Sequence, residues 1–181
     1  MKSNIECNSC KSYSNNKIYN PINSNRSVDL FICNNCGVFY SISTKPYISR
    51  PTPSMSCDAN RSSIKYTKRL VLKDHLKFLD ANKIDLSSFK SVLDIGSNRG
   101  DFILELLKRN KNKKLKIVGV ESDPYITSDY DSLKNVDVYH SRFESFEISK
   151  HKFDFIHCVH TIEHFTELHN TLLKIKNYLI S

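Results

Sequence analysis

From residue 66 onward the apolar positions fall into short blocks that alternate between two periodicities. Tyr66–Lys83 carries Leu72, Leu76 and Leu79 at i, i+4 and i+7, which places them on one helical face. Ser91–Ile95 is a brief apolar run with the length of a buried strand, and Asp101–Arg109 returns to helical spacing with Phe102, Ile103, Leu106 and Leu107. Lys116–Glu121, Val136–His140 and the strongly apolar Phe153–Val159 read as three further strands. Glu167–Leu179 closes the chain as a helix with Leu168, Leu172, Ile175 and Leu179 on one face. Strands alternating with helices predict an α/β fold with a parallel, doubly wound sheet. No internal repeat interrupts the pattern.

The first third reads differently. Residues 1–45 contain a Ser/Asn-rich loop at Ser12–Ser27 and one short strand at Leu30-Phe31-Ile32. Residues 46–65, with Pro46, Pro51 and Pro53 among Ser, Thr and Arg, read as a linker to a second domain at 66–181.

Composition narrows the class. The chain has 181 residues, 39% of them hydrophobic and 25% charged, with a net charge of +8. That is too apolar for a disordered chain, and no apolar run approaches the roughly 18 residues that would span a bilayer. Met1–Cys10 lacks the apolar centre of an export signal, so a soluble, cytoplasmic protein without membrane contact is expected. The densest basic run, Lys108–Lys116, lies between a helical stretch and a strand. It reads as a solvated helix end, where cations suit the dipole, with a phosphate-contacting patch as the alternative.

The cysteines carry a sharper signal. Cys7-Asn-Ser-Cys10 and Cys33-Asn-Asn-Cys36 form two C-x2-C pairs, while Cys57 and Cys158 stand alone. Each pair lets two thiolates reach one ion from a tight knuckle, and two pairs complete a tetrahedral site. Gly37, directly after the second knuckle, supplies the backbone freedom of such turns. Disulfides need an oxidising compartment, and a redox C-x-x-C comes as one pair rather than two. A structural Zn²⁺ held by Cys7, Cys10, Cys33 and Cys36 in a small zinc ribbon is therefore expected. Four cysteines leave no open coordination position, so its work is stability and shape.

The candidate chemistry lies in Val92-Leu93-Asp94-Ile95-Gly96-Ser97-Asn98-Arg99-Gly100-Asp101-Phe102. An apolar strand ends on an acid, and a glycine turn opens a helix; ligands of open α/β sheets bind at this edge. Asn98 stands where a further glycine is usual, and Asn tolerates positive φ next best. The following strand ends in Gly119-Val120-Glu121-Ser122-Asp123, and an acid about 20 residues beyond the turn is placed for ribose hydroxyls. This stretch resembles the class I S-adenosylmethionine-dependent methyltransferases. So does Phe153-Asp154-Phe155-Ile156-His157-Cys158-Val159-His160-Thr161-Ile162-Glu163-His164-Phe165, an apolar strand with an early Asp and a later Glu-His pair. The resemblance covers residues 66–181. With a ribbon in front, the arrangement looks most like methyltransferases that act on nucleotide-linked deoxysugars. It is similar, less closely, to ribosomal-RNA methyltransferases with a zinc module.

The resemblance implies roles residue by residue. Asp94 would hold the ammonium end of S-adenosylmethionine. Gly96, Ser97 and Gly100 would shape the turn, Glu121 and Ser122 would lie along the ribose, and Phe143 in Ser141-Arg142-Phe143-Glu144 would flank the adenine while belonging partly to the core. A nicotinamide cofactor is the rival reading, but it prefers G-x-G-x-x-G. Methyl transfer to an oxygen, nitrogen or carbon acid needs a proton acceptor, and His160, Glu163 and His164 form the clustered titratable group past the fourth strand. Those residues also cap or orient the next helix in the bland reading. His160-Thr161-Ile162-Glu163-His164 further matches the H-x-x-E-H pattern of inverted zinc peptidases, which requires a helix; here it directly follows a strand. His140, His151, His157 and His169 are scattered and carry no assignment.

The sheet of the resembling family continues beyond its fourth strand, whereas this sequence stops about where the fifth would follow. The expectation is a Rossmann-like sheet incomplete at its C-terminus, whose apolar edge strand is covered by a protein partner or a second copy. The function expected is methyl transfer to a small-molecule acceptor, such as a nucleotide-linked sugar. The alternatives are a nucleic-acid-binding ribbon protein and a non-catalytic remnant of the fold.

Overall fold

In the computed structural model, residues 5–19, 28–43, 61–112, 114–123, 133–149 and 151–180 are described. The chain divides into two compact units, Met1–Arg50 with Thr166–Leu173 and Pro51–Phe165 with Lys174–Ser181.

The first unit contains a three-stranded antiparallel sheet, β1 (Asn15–Tyr19), β2 (Val28–Cys33) and β3 (Phe39–Ser43), in the order β1-β2-β3. Two of these strands were not expected. β1 lies inside the Ser/Asn-rich stretch read as loop, and β3 follows the second knuckle. Pairing with β2 supplies the order that their composition does not: Lys17 sits opposite Phe31, and Phe31 opposite Tyr40. The core is small. Cys7, Phe31, Cys33 and Tyr40 are buried, with the Phe31 and Tyr40 rings stacked at 5.7 Å.

The second unit is the expected α/β fold. It begins with α1 (Arg61–Ala81), five residues earlier than the Leu periodicity indicates, so 61–65 are helix rather than linker. Residues 46–60 of that linker, with Cys57, lie outside the described residues. Then come β4 (Ser91–Ile95), α2 (Asp101–Arg109), β5 (Lys116–Glu121), β6 (Val136–His140), β7 (Phe155–Cys158), a 3₁₀ turn (Ile162–His164) and α3 (Leu168–Tyr178), of which the part from Lys174 onward belongs to this unit. The strands form one parallel sheet ordered β6-β5-β4-β7, the 3-2-1-4 order of a doubly wound sheet.

Alternation along the strands builds two cores, one on each face. Val92 and Ile117 join Leu76, Leu79, Phe102, Ile103 and Leu106 of α1 and α2. Leu93, Ile95, Val118 and Val120 face the other way, toward Phe143, Phe146, Phe153 and Tyr178. By the same parity Asp94 belongs to the first face, at the carboxyl end of the central strand.

β7 is shorter than the apolar run Phe153–Val159. Asp154 interrupts it, because its carboxylate accepts the amides of Lys90 (2.7 Å) and Ser91 (3.0 Å) and so ties the start of β7 to the start of β4. β7 is the last strand of the sheet among the described residues. Beside its approach, Phe153 and Leu179 form a parallel bridge, with the Ile180 amide donating to Phe153 O at 2.9 Å.

Candidate cofactor and metal sites

The turn after β4 takes its shape from three left-handed residues, Gly96 (φ 75°), Asn98 (φ 49°) and Gly100 (φ 77°). The amides of Gly96 and Ser97 both donate to Val120 O, at 2.8 and 3.1 Å, which holds the turn against the end of β5. Glycine is required at 96 for space as well as conformation: a Cβ there would run into the Thr161 hydroxyl and lie 2.9 Å from its methyl group. Gly119 is less constrained: a Cβ there would come 3.0 Å from Ser97 Oγ and 3.3 Å from Ile103, so those side chains would have to give slightly. Gly100 is the N-cap of α2, and Asp101 follows in the first turn, where an acid suits the helix dipole.

Glu121, 7% exposed, closes the turn from the next strand. Its Oε2 accepts the Asn98 amide and its Oε1 the Asp123 amide, each at 2.8 Å. A carboxylate offers roughly four acceptor sites, so about two remain for ligand hydroxyls. Ser122 between them is exposed. Asp94 is 2% exposed and is not isolated: His157 Nδ1 lies 2.7 Å from its Oδ1. Parallel pairing sets the two residues side by side on β4 and β7.

His157 carries no signal in the sequence. A single histidine in an apolar strand gives no spacing signal, and only strand register reveals its partner 63 positions away. His75 on α1 carries no signal in the sequence either. Its ring lies 6.2 Å from that of His157 and 5.7 Å from that of His160. Burial, then the neighbouring His157 and His160, pushes the His75 imidazole below the usual histidine range.

Of the three residues expected to supply a base, the structure brings two toward each other: His160 Nδ1 lies 3.9 Å from Glu163 Oε1, both side chains being largely exposed. His160 has φ 52°. His164 is placed through its main chain, its amide donating to Thr161 O at 2.9 Å and its carbonyl accepting from Arg142 at 3.2 Å. The segment Ile162–His164 is a 3₁₀ turn, so the two histidines of the H-x-x-E-H pattern do not share an α-helical face. Phe143 is 3% exposed and packs against Phe146, Phe165 and Tyr178 in the core.

In the first unit the four expected cysteines converge, all four sulfurs lying within 4.8 Å of one another. The Cys7–Cys36 and Cys10–Cys33 separations are 3.8 and 3.6 Å. A tetrahedral ion with Zn–S bonds of about 2.3 Å places its sulfurs about 3.8 Å apart, so the set fits zinc. The knuckles are matched turns. Lys11 donates to Cys7 O at 3.0 Å and Gly37 to Cys33 O at 2.9 Å, with φ 64° and 73°. Hydrogen bonds from the Asn35 side chain and the Ser12 backbone lower the Cys10 thiol to about 6, while, against a hydrogen bond from the Val38 backbone, burial and the neighbouring cysteines push the Cys36 thiol up to about 12.

Residues 64–180 match the methyltransferase domain family. No curated protein sequence matches the chain. Among solved structures, the plantazolicin methyltransferase BpumL in complex with SAH is 17% identical, with a TM-score of 0.50 over 70% of this chain and 52% of that one. BpumL with a triazolic desmethylPZN analog and SAH is 16% identical, with a TM-score of 0.51 over 68% and 50%. The StiE O-MT structure is 15% identical, with a TM-score of 0.51 over 68% and 48%. At these identities the likeness is one of fold. The chain spans about half the length of these solved structures.

Proposed function

We propose that this chain, which belongs to the methyltransferase domain family, binds S-adenosylmethionine at the carboxyl edge of β4 and β5 and directs its methyl group to a small-molecule acceptor. The observation that carries this reading is the left-handed Gly96–Gly100 turn, pinned between buried Asp94 and Glu121. The cofactor supplies an electrophilic methyl on a sulfonium. Asp94 neutralises the ammonium of its methionine end, and Glu121, with Ser122 alongside, receives the ribose hydroxyls. Gly96, Ser97 and Gly100 keep side chains away from the ligand path. The 141–143 segment after β6 borders the adenine, with Phe143 backing it from the core.

His160 is the proposed proton acceptor for the nucleophile. Its exposure beside Glu163 suits a neutral imidazole that takes a proton and is then stabilised as a cation. The further acceptor class we propose is a nucleotide-linked sugar. Cys7, Cys10, Cys33 and Cys36 hold a structural zinc ion. Among the described residues, no helix is long and apolar enough to cross a membrane.

Calorimetric titration of S-adenosylmethionine into the zinc-loaded chain tests the cofactor site, with Glu121→Ala as control. Micromolar binding lost in the variant supports the site; absence of binding by a folded chain overturns it. Binding without turnover on any sugar nucleotide would leave the site standing and remove the proposed acceptor.

A further inference from the structure

His75, His157 and His160 form one cluster of imidazoles in the second unit, and only His157 touches a proposed ligand-binding group. Its geometry is tightly fixed. The Phe102 ring stacks on it at 3.8 Å with an interplanar angle of 10°, and the paired strands bring it level with Asp94. An ionised carboxylate only accepts hydrogen bonds, so at 2.7 Å the proton between them belongs to His157 Nδ1. The opposite nitrogen, Nε2, is buried with no hydrogen-bond partner among the described residues. A second proton would enter there and turn the imidazole into a cation facing Asp94.

We propose that His157 is a positioning residue for the cofactor, fixing the Asp94 carboxylate while neutral and competing for it with the cofactor's ammonium once doubly protonated. This rests on the reading of Asp94 as the ammonium's partner. A 2% exposed carboxylate cannot share its charge with water, so two cations at it oppose each other directly. Binding of the ammonium then expels a proton, and by reciprocity protons weaken binding by the same factor.

The groups around His157 leave this competition intact. From α1 come His75, which burial keeps toward its neutral form, and Asp74 beyond it. α2 presents the uncharged Phe102. On β7 itself, burial pushes the Cys158 thiol up to about 11, so it stays neutral. After β7 come His160 and Glu163, which face each other. Asp94 is the acid in contact.

The test is calorimetric titration of S-adenosylhomocysteine into the whole zinc-loaded chain from about pH 5.5 to 7, below the usual titration of an α-amino group. Wild-type affinity should rise with pH, approaching the limit of about tenfold per unit for one released proton. His157→Asn places an amide donor near Nδ1 without a titratable ring, so it should keep affinity within about threefold at pH 7 and lose the slope. His157→Phe should lose about tenfold in affinity together with the slope. His75→Asn, which leaves the Asp94 partner in place, should keep the slope. Proton release measured in two buffers of different ionisation enthalpy reads the same quantity on the wild type alone, should the variants fold poorly.

A wild-type slope in His157→Asn, or wild-type binding by His157→Phe, overturns the proposal. Loss of binding in Asp94→Ala alongside such results confines the failure to His157. Undiminished binding in Asp94→Ala overturns the reading of Asp94, and this inference with it.

Discussion

At Gly96 two physical demands coincide, a φ of 75° and the approach of the Thr161 side chain. Alanine there meets both the left-handed penalty and a clash with a residue carried on the far side of β7. Gly96→Ala should lower stability by about 2–3 kcal/mol in urea unfolding and abolish cofactor binding. Asn98→Ala, which meets the conformational demand and also removes the Oδ1 that accepts the Arg99 amide at 2.9 Å, should cost about 1–2 kcal/mol. His75 offers a pH test at the same scale. Its basicity is lowered on folding, so its contribution to stability is complete above the unfolded value of about 6.5 and is lost as pH falls below it. The drop in melting temperature between pH 7.5 and 5 should therefore be smaller in His75→Asn than in the wild type, as read by circular dichroism. Glycine and Asn advertise left-handed positions in a sequence, so the turn was legible. Lys11 and Lys83, with φ of 64° and 57°, gave no such notice, because long side chains take that conformation only when their surroundings impose it.

Among the elements, those with a full apolar stripe were readable and those held by pairing were not. α2 and the buried strands β4 and β5 have the expected bounds because each is amphipathic or apolar throughout. β1 was missed because its residues are ordered by β2 and not by their own composition. The loop after β6 shows the same dependence. Lys174 of α3, mostly buried, donates to the carbonyls of Phe143 (3.1 Å), Glu144 (3.1 Å) and Phe146, and to Glu147 Oε1 (3.0 Å). Methionine would fill the volume and leave those acceptors without their donor, at about 1–3 kcal/mol. Lys174→Met should accordingly raise amide exchange across 141–148 while leaving β4 and β5 protected. Unchanged exchange in that loop would show that the Phe143–Phe146 packing suffices without the ammonium.

For the whole molecule, the two units differ in what holds them. The second has two apolar cores, one on each face of a parallel sheet. Among its described residues the first has four in its buried core, two of them cysteines. So small a core is insufficient alone, and metal binding supplies folding free energy in such modules. The C-x2-C spacing made the four-cysteine cluster legible from sequence, whereas the Asp94–His157 pair needed the assembled sheet. The expectation is an unfolding in two stages with different ligand dependence. A chelator should collapse the dispersed amide signals of 5–19 and 28–43 in a proton–nitrogen correlation spectrum and leave those of β4, β5 and α2 in place. Cys33→Ser should do the same without chelator, and S-adenosylhomocysteine should raise the second transition and leave the first unmoved. Loss of both sets of signals on zinc removal would mean that the sheet depends on the metal module, and the separate cores would then not describe how this chain is stabilised.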